Sequence, residues 1–109
     1  MSQSLKKYSS YLRMLQKSSP KVRSTLTKKH CSPEFIKCIC ECAKNVLVGN
    51  VVLSSEHKRR LKRHKLSLRK LALKKTPMKI KKKIVQSGGF LGALLGPIVK
   101  VLSGLFASN

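Results

Sequence analysis

A chain of 109 residues is long enough for one small domain and too short for several, or for a large buried core. Lys and Arg number 25 against three acids, Glu34, Glu41 and Glu56, a formal net charge of +22 that excludes a self-sufficient neutral globule and implies a polyanion nearby, nucleic acid or an anionic membrane. Apolar residues still make up 41% and recur at helical spacing, which excludes a wholly disordered tail.

Residues 1–15 carry no long apolar run of the secretory kind, so a reducing compartment and free thiols are expected. A first helix is expected over residues 4–17, where Leu5, Tyr8, Leu12 and Leu15 share a face. Three hydroxyl-proline pairs, Ser19-Pro20, Ser32-Pro33 and Thr76-Pro77, read as helix starts: the hydroxyl caps and the proline takes the first position, where its missing N–H costs nothing. The helix after Pro20 is short, with Val22 and Leu26 inward. That after Pro33 runs to about Val48, burying Phe35, Ile36, Ile39, Ala43, Val46 and Leu47, and Gly49-Asn50 supplies a left-handed stop.

Cys31, Cys38, Cys40 and Cys42 lie within or beside this helix, close to His30. Zinc sites pair ligands two to four residues apart and need a second pair elsewhere, whereas here only Cys38 and Cys42 share a face; the thiols read as small apolar packing residues, with no metal or cofactor expected. No acid is placed to orient His30, His57 or His64 toward a cysteine nucleophile, so the chain reads as a non-enzyme.

After Val51-Val52-Leu53, Ser54 or Ser55 caps an expected long helix with Glu56 in its first turn. Leu61, His64, Leu68 and Leu71 share one face. The remaining faces, and the Lys-rich stretch that follows Pro77, carry Lys58, Arg59, Arg60, Lys62, Arg63, Lys65, Arg69, Lys70, Lys74, Lys75, Lys79, Lys81, Lys82 and Lys83. Between residues 57 and 83 there is no acid, while an ordinary solvated face mixes both signs. Duplex DNA offers one phosphate per about 1.7 Å of axis, and neutralising phosphates releases counterions without reading sequence. With few aromatics and no zinc-finger spacing, double-stranded DNA bound through its backbone is the expected partner. The run of residues 57–65 also suits a nuclear localisation signal.

Beyond Gly88-Gly89 the composition turns apolar, with Phe90, Leu94, Leu95, Ile98, Leu102 and Leu105 as the expected contacts to a membrane or a capsid partner. Gly92, Gly96, Lys100 and Gly104 draw a small or polar stripe suited to close helix association. A bilayer span needs about 20 apolar residues. This segment is slightly short and holds Pro97 and Lys100, whose charge costs about 2.5 to 3.5 kcal/mol at mid-bilayer, so an interfacial or partner-bound helix is expected.

A basic body, a Gly-Gly pair and a short Leu/Ile/Pro-rich tail resemble the adenoviral precursors of protein mu (protein X), and the stretch over residues 39–95 resembles core proteins of adintoviruses and Polinton (Maverick) elements. The resemblance implies a virion core or minor capsid precursor that condenses DNA, located in the virion and the host nucleus. It also implies an adenovirus-type maturation protease acting on Gln86, Ser87, Gly88 and Gly89, with cleavage before Phe90. This chain departs from that pattern in being Lys-rich and in having a patterned, Cys-containing N-terminal half. A cationic membrane-active protein, with the basic helix on anionic lipid and the tail inserted, is the alternative.

The expected fold is therefore all-α: a small bundle of short helices, a long basic helix and a separate apolar C-terminal helix. The divisions fall at residues 1–53, 54–85, 86–89 as a Gly-Gly hinge, and 90–109.

Overall fold

Helix starts follow the local chemistry in the computed structural model, which describes the backbone of residues 3–107 and the side chains of residues 3–102. Ser19 and Ser32 accept hydrogen bonds from the N–H groups of Val22 (3.2 Å) and Phe35 (3.1 Å), opening α3 (Pro20–Lys29) and α4 (Pro33–Leu47). Ser54 caps α5 (Ser55–Lys62) by accepting from His57 N at 3.1 Å. Each cap satisfies one of the donors that a helix leaves unpaired at its first turn. Thr76 does not act this way: α7 (Met78–Val85) begins after Pro77 without a side-chain cap. Gly49 closes α4 at φ +83°, the left-handed conformation expected of it.

The N-terminal helix is interrupted at Tyr8, giving α1 (Gln3–Lys7) and α2 (Ser9–Lys17). The interruption is shallow, since Tyr8 N still bonds Ser4 O and Leu12 N bonds Tyr8 O. Leu5, Leu12 and Leu15 are fully buried, and the Tyr8 and Tyr11 rings meet Phe35 with centroids 5.3 and 5.2 Å away.

The long basic helix is two helices, α5 and α6 (Lys65–Ala72). Arg63 N and His64 N bond three residues back, to Arg60 O and Leu61 O, which tightens the chain and turns it. The physical reason is a change of partner, because α5 packs on the C-terminal helix α8 (Gly88–Ala107) while α6 packs on α4. His64 sits at the turn with its ring edge-on to Phe90 at 5.7 Å.

In α3 the expected orientation is reversed in part: Val22 is 47% exposed and Leu26 only partly buried, while Arg23 and Thr27 are buried. Leu47, placed inward from the sequence, is exposed, whereas Cys38 and Cys42 complete the buried face of α4.

The largest correction concerns the C-terminal segment. Residues 90–102 form the middle of the bundle rather than a separate helix, packed by α2, α3, α5 and α7 and touched by α4. Phe90, Leu91, Leu94, Leu95, Ile98 and Leu102 are at most 1% exposed. Burying each such side chain contributes about 1.5 to 3 kcal/mol, more than any other term on this helix. Among the described residues there are eight helices and no strand, around one core built on α4 and α8.

Candidate nucleic-acid interface

Leucines on one side of α5 and α6 set where the cations go. Leu61, Leu68 and Leu71 are buried against the core, as is Val85 of α7, so the remaining faces of all three helices turn to solvent. Lys58, Arg59, Arg60, Lys62, Arg63, Lys65, Arg69, Lys70, Lys74, Lys75, Lys79, Lys82 and Lys83 are exposed, and Lys81 is half-buried. The cations named from the sequence thus stay accessible, although on three short helices instead of one long rod.

Little opposes their charge. Glu56 meets Arg59 Nη2 at 3.3 Å and Arg60 Nη2 at 3.4 Å, pairs that are more than half exposed and therefore weak. The third ion pair among the described residues, Lys7 with Glu34 at 3.0 Å, ties α1 to α4; the Glu34 hydrogen bond and charge raise the Lys7 pKa. Leu66, Leu73, Met78 and Ile80 stand exposed among the lysines.

The Gly-Gly pair is a bend held by packing. α7 and α8 meet at 80°, Ser87 N bonds Ile84 O at 3.1 Å, and Leu91 N bonds Ser87 O at 3.0 Å. Gly88 is buried so close to the Pro20 carbonyl that a Cβ would overlap it, whereas a Cβ on Gly89 meets open space. Gln86 is half-buried, Gly88 and Gly89 lie in the first turn of α8, and Phe90 is 1% exposed. The bond between Gly89 and Phe90 is therefore helical on both sides and enclosed on one.

Phe90, Leu94, Leu95, Ile98 and Leu102, expected to face a membrane or partner, are core residues instead. Leu105 lies outside the residues whose side chains are described. Of the stripe Gly92, Gly96, Lys100 and Gly104, Gly92 admits close approach, to Arg23 of this same chain, and Gly96 meets His57 at ordinary contact distance. Lys100 is exposed, and Gly104 lies outside the residues whose side chains are described; Gly88, beyond the stripe, lies close to Pro20. Among the described residues no single helix is long and apolar enough to cross a membrane, and α7 with residues 88–102 passes that test only as a bent pair.

The surroundings of Cys31, Cys40 and Cys42 favour the protonated thiol. Burial raises the Cys31 thiol pKa against the opposing effects of Lys82 and a Gln86 hydrogen bond, and burial raises that of Cys40 against Lys81. A hydrogen bond with Cys38, then burial, pushes Cys42 well up. A thiol is a poor nucleophile or ligand in that state. Among the described residues no three His, Cys, Asp or Glu side chains converge on one point.

Arg23 is the residue that the sequence pattern did not reveal. It is 8% exposed, its Nε donates to Gly88 O at 2.9 Å, and its Nη1 donates to the carbonyls of Leu15 (3.2 Å), Gln16 (3.3 Å) and Ser18. It thus satisfies the carbonyls at the end of α2 and ties them to the start of α8. Burial lowers its pKa, but a guanidinium remains charged. No protein-family model, no curated protein and no solved structure matches this chain.

Proposed function

We propose that this chain is a DNA-packaging protein, a virion core or minor capsid precursor that binds and condenses double-stranded DNA without reading its sequence. The observation that carries the reading is the surface of α5, α6 and α7, where every cation but Lys81 is exposed and the only carboxylate partner among the described residues is Glu56. Uncompensated cations at this density repel each other, and a phosphate backbone relieves the repulsion while releasing its own counterions.

Salt dependence tests it. If about six to ten of these cations engage phosphates, affinity for unrelated duplexes falls by about 10³ to 10⁵ between 50 and 200 mM salt, equally for every sequence. A fluorescence titration on the whole chain reads this directly; no measurable binding in dilute buffer overturns the reading.

Maturation before Phe90 by an adenovirus-type protease, in the virion or the host nucleus, belongs to the same proposal through the resemblance. Because the bond sits in the first turn of α8, cutting draws on a locally opened state, and its rate follows the population of that state.

An anionic lipid surface is the second reading. Exposed Leu66, Leu73, Met78 and Ile80 among lysines favour it, since such side chains enter the headgroup boundary. Flotation with anionic vesicles, in competition with duplex DNA, separates the two.

A further inference from the structure

Where the N-terminal end of α8 crosses α3 and α5, the surface dips into a cleft of about 430 Å³. Arg23, His57, Arg60, Arg63, His64 and Lys100 line it, together with Gly89, Gly92 and Gly96, and among the described residues no acid does. Among the described residues Glu56 is the one carboxylate bonded to any of these groups, touching Arg60 at 3.4 Å from an exposed position.

Three features make this more than a patch of surface charge. Arg23 is buried, and its Nε and Nη1 are fixed by four backbone carbonyls. Its Nη2 has no hydrogen bond among the described residues and lies against Gly92, so close that a Cβ there would overlap it. A guanidinium locked in this way has already lost its rotamer freedom, so a ligand reaching Nη2 incurs little further ordering cost.

The second feature is the helix end. Leu91 N makes the bond to Ser87 O, so the N–H groups of Gly88, Gly89 and Phe90 precede the α8 ladder, and Gly89 faces the cleft with open space where a Cβ would stand. The third is His57, which lines the cleft with its Nε2 edge toward Gly96 while its Nδ1 is buried without a hydrogen-bond partner.

We propose that this cleft is a binding site for a phosphate-bearing anion, either a free compound with two or three linked phosphates or a segment of DNA backbone. The Nη2 group of Arg23, the forward N–H groups of α8 and the flanking Arg63 and Lys100 suit oxyanions carrying more than one charge. Arg60 and Arg63 are shared with the packaging surface, whereas Arg23, Lys100 and the end of α8 lie outside it, so variants at Gly89 and Lys100 test the site while leaving that surface intact.

Calorimetric titration of the whole chain with inorganic tripolyphosphate tests it. Gly89→Asp places a carboxylate at the mouth of the cleft, where open space and the helix dipole both favour it, so folding is preserved. Lys37→Ala, an exposed α4 residue, removes the same unit of charge elsewhere. The expected result is saturable binding at one equivalent, weakened about tenfold or more by Gly89→Asp and less than about twofold by Lys37→Ala. Lys100→Glu, at the opposite side, should weaken it as Gly89→Asp does. Equal weakening by Gly89→Asp and Lys37→Ala, or uptake that does not saturate, overturns the site.

The source of the phosphate is read by repeating the titration on protein saturated with duplex DNA. Blocked uptake assigns the cleft to the DNA backbone, and undiminished uptake assigns it to a free compound. If the chain binds no DNA at all, the tripolyphosphate titration still stands or fails alone.

Discussion

Along α8, Leu94, Leu95, Ile98 and Leu102 are completely buried, whereas Leu66, Leu73, Met78 and Ile80, on and around α6 and α7, remain 41 to 67% exposed. Both stretches carry long apolar side chains, but those on α6 and α7 are interleaved with cations, whereas residues 90–102 hold only Lys100. What separates them is the company each keeps. Gly88 and Gly92 let α3 close over α8, while flanking lysines on α6 and α7 must stay wet and hold their apolar neighbours at the surface.

That contrast can be broken most decisively by shortening one leucine in each region. Leu95→Ala should destabilise the fold by about 2 to 5 kcal/mol, read as a large drop in thermal midpoint, because the cavity left among packed helices cannot fully collapse. Leu66→Ala should stay within about 0.5 kcal/mol of the parent. Equal behaviour of the two would return α8 to the role of a loosely attached tail.

A finer comparison lies inside the Gly-Gly pair. Gly88→Ala forces a methyl group into the Pro20 carbonyl and should cost about 1 to 3 kcal/mol, as overpacking does. Gly89→Ala, with open space around it, should be neutral or stabilise by up to about 1 kcal/mol, since alanine is the better helix former. A flexible hinge would treat the two alike in chemical denaturation.

The smallest effect concerns how the basic region is anchored. Ser54→Ala removes the acceptor for His57 N at the head of α5 and should cost about 1 kcal/mol in the same assay, leaving affinity for DNA at fixed salt unchanged. A fall in DNA affinity without loss of stability would mean that Ser54 serves the surface rather than the helix.

Caps and stops were readable from the sequence because they are local: Ser19, Ser32, Ser54 and Gly49 act through atoms three or four residues away. The exposed cations were readable for a related reason, as so many charges leave no arrangement that hides them. Helix α3 was not readable in phase, having only Val22 and Leu26 to indicate an inner face, and the packing of Arg23 beneath Gly88 decided it. The turn at His64 was hidden too, because nothing local distinguishes one long helix from two that serve different neighbours. For α8, apolar residues on nearly every side suit a lipid bilayer and a protein interior equally, and only the glycine stripe pointed to close helix contact.

The helix at the middle of the bundle is synthesised after the seven that surround it or rest on its neighbours. Until it leaves the ribosome, α2, α3 and α5 lack the helix on which all three pack, while α4, α6 and α7 can already meet one another. Assembly therefore awaits translation of α8 and closes contacts such as Arg23 to Gly88 across 65 positions, a topology that slows folding. A nascent chain stalled before α8 would be a bare polycation with half an interior, a state in which chaperone or nucleic-acid capture competes with folding.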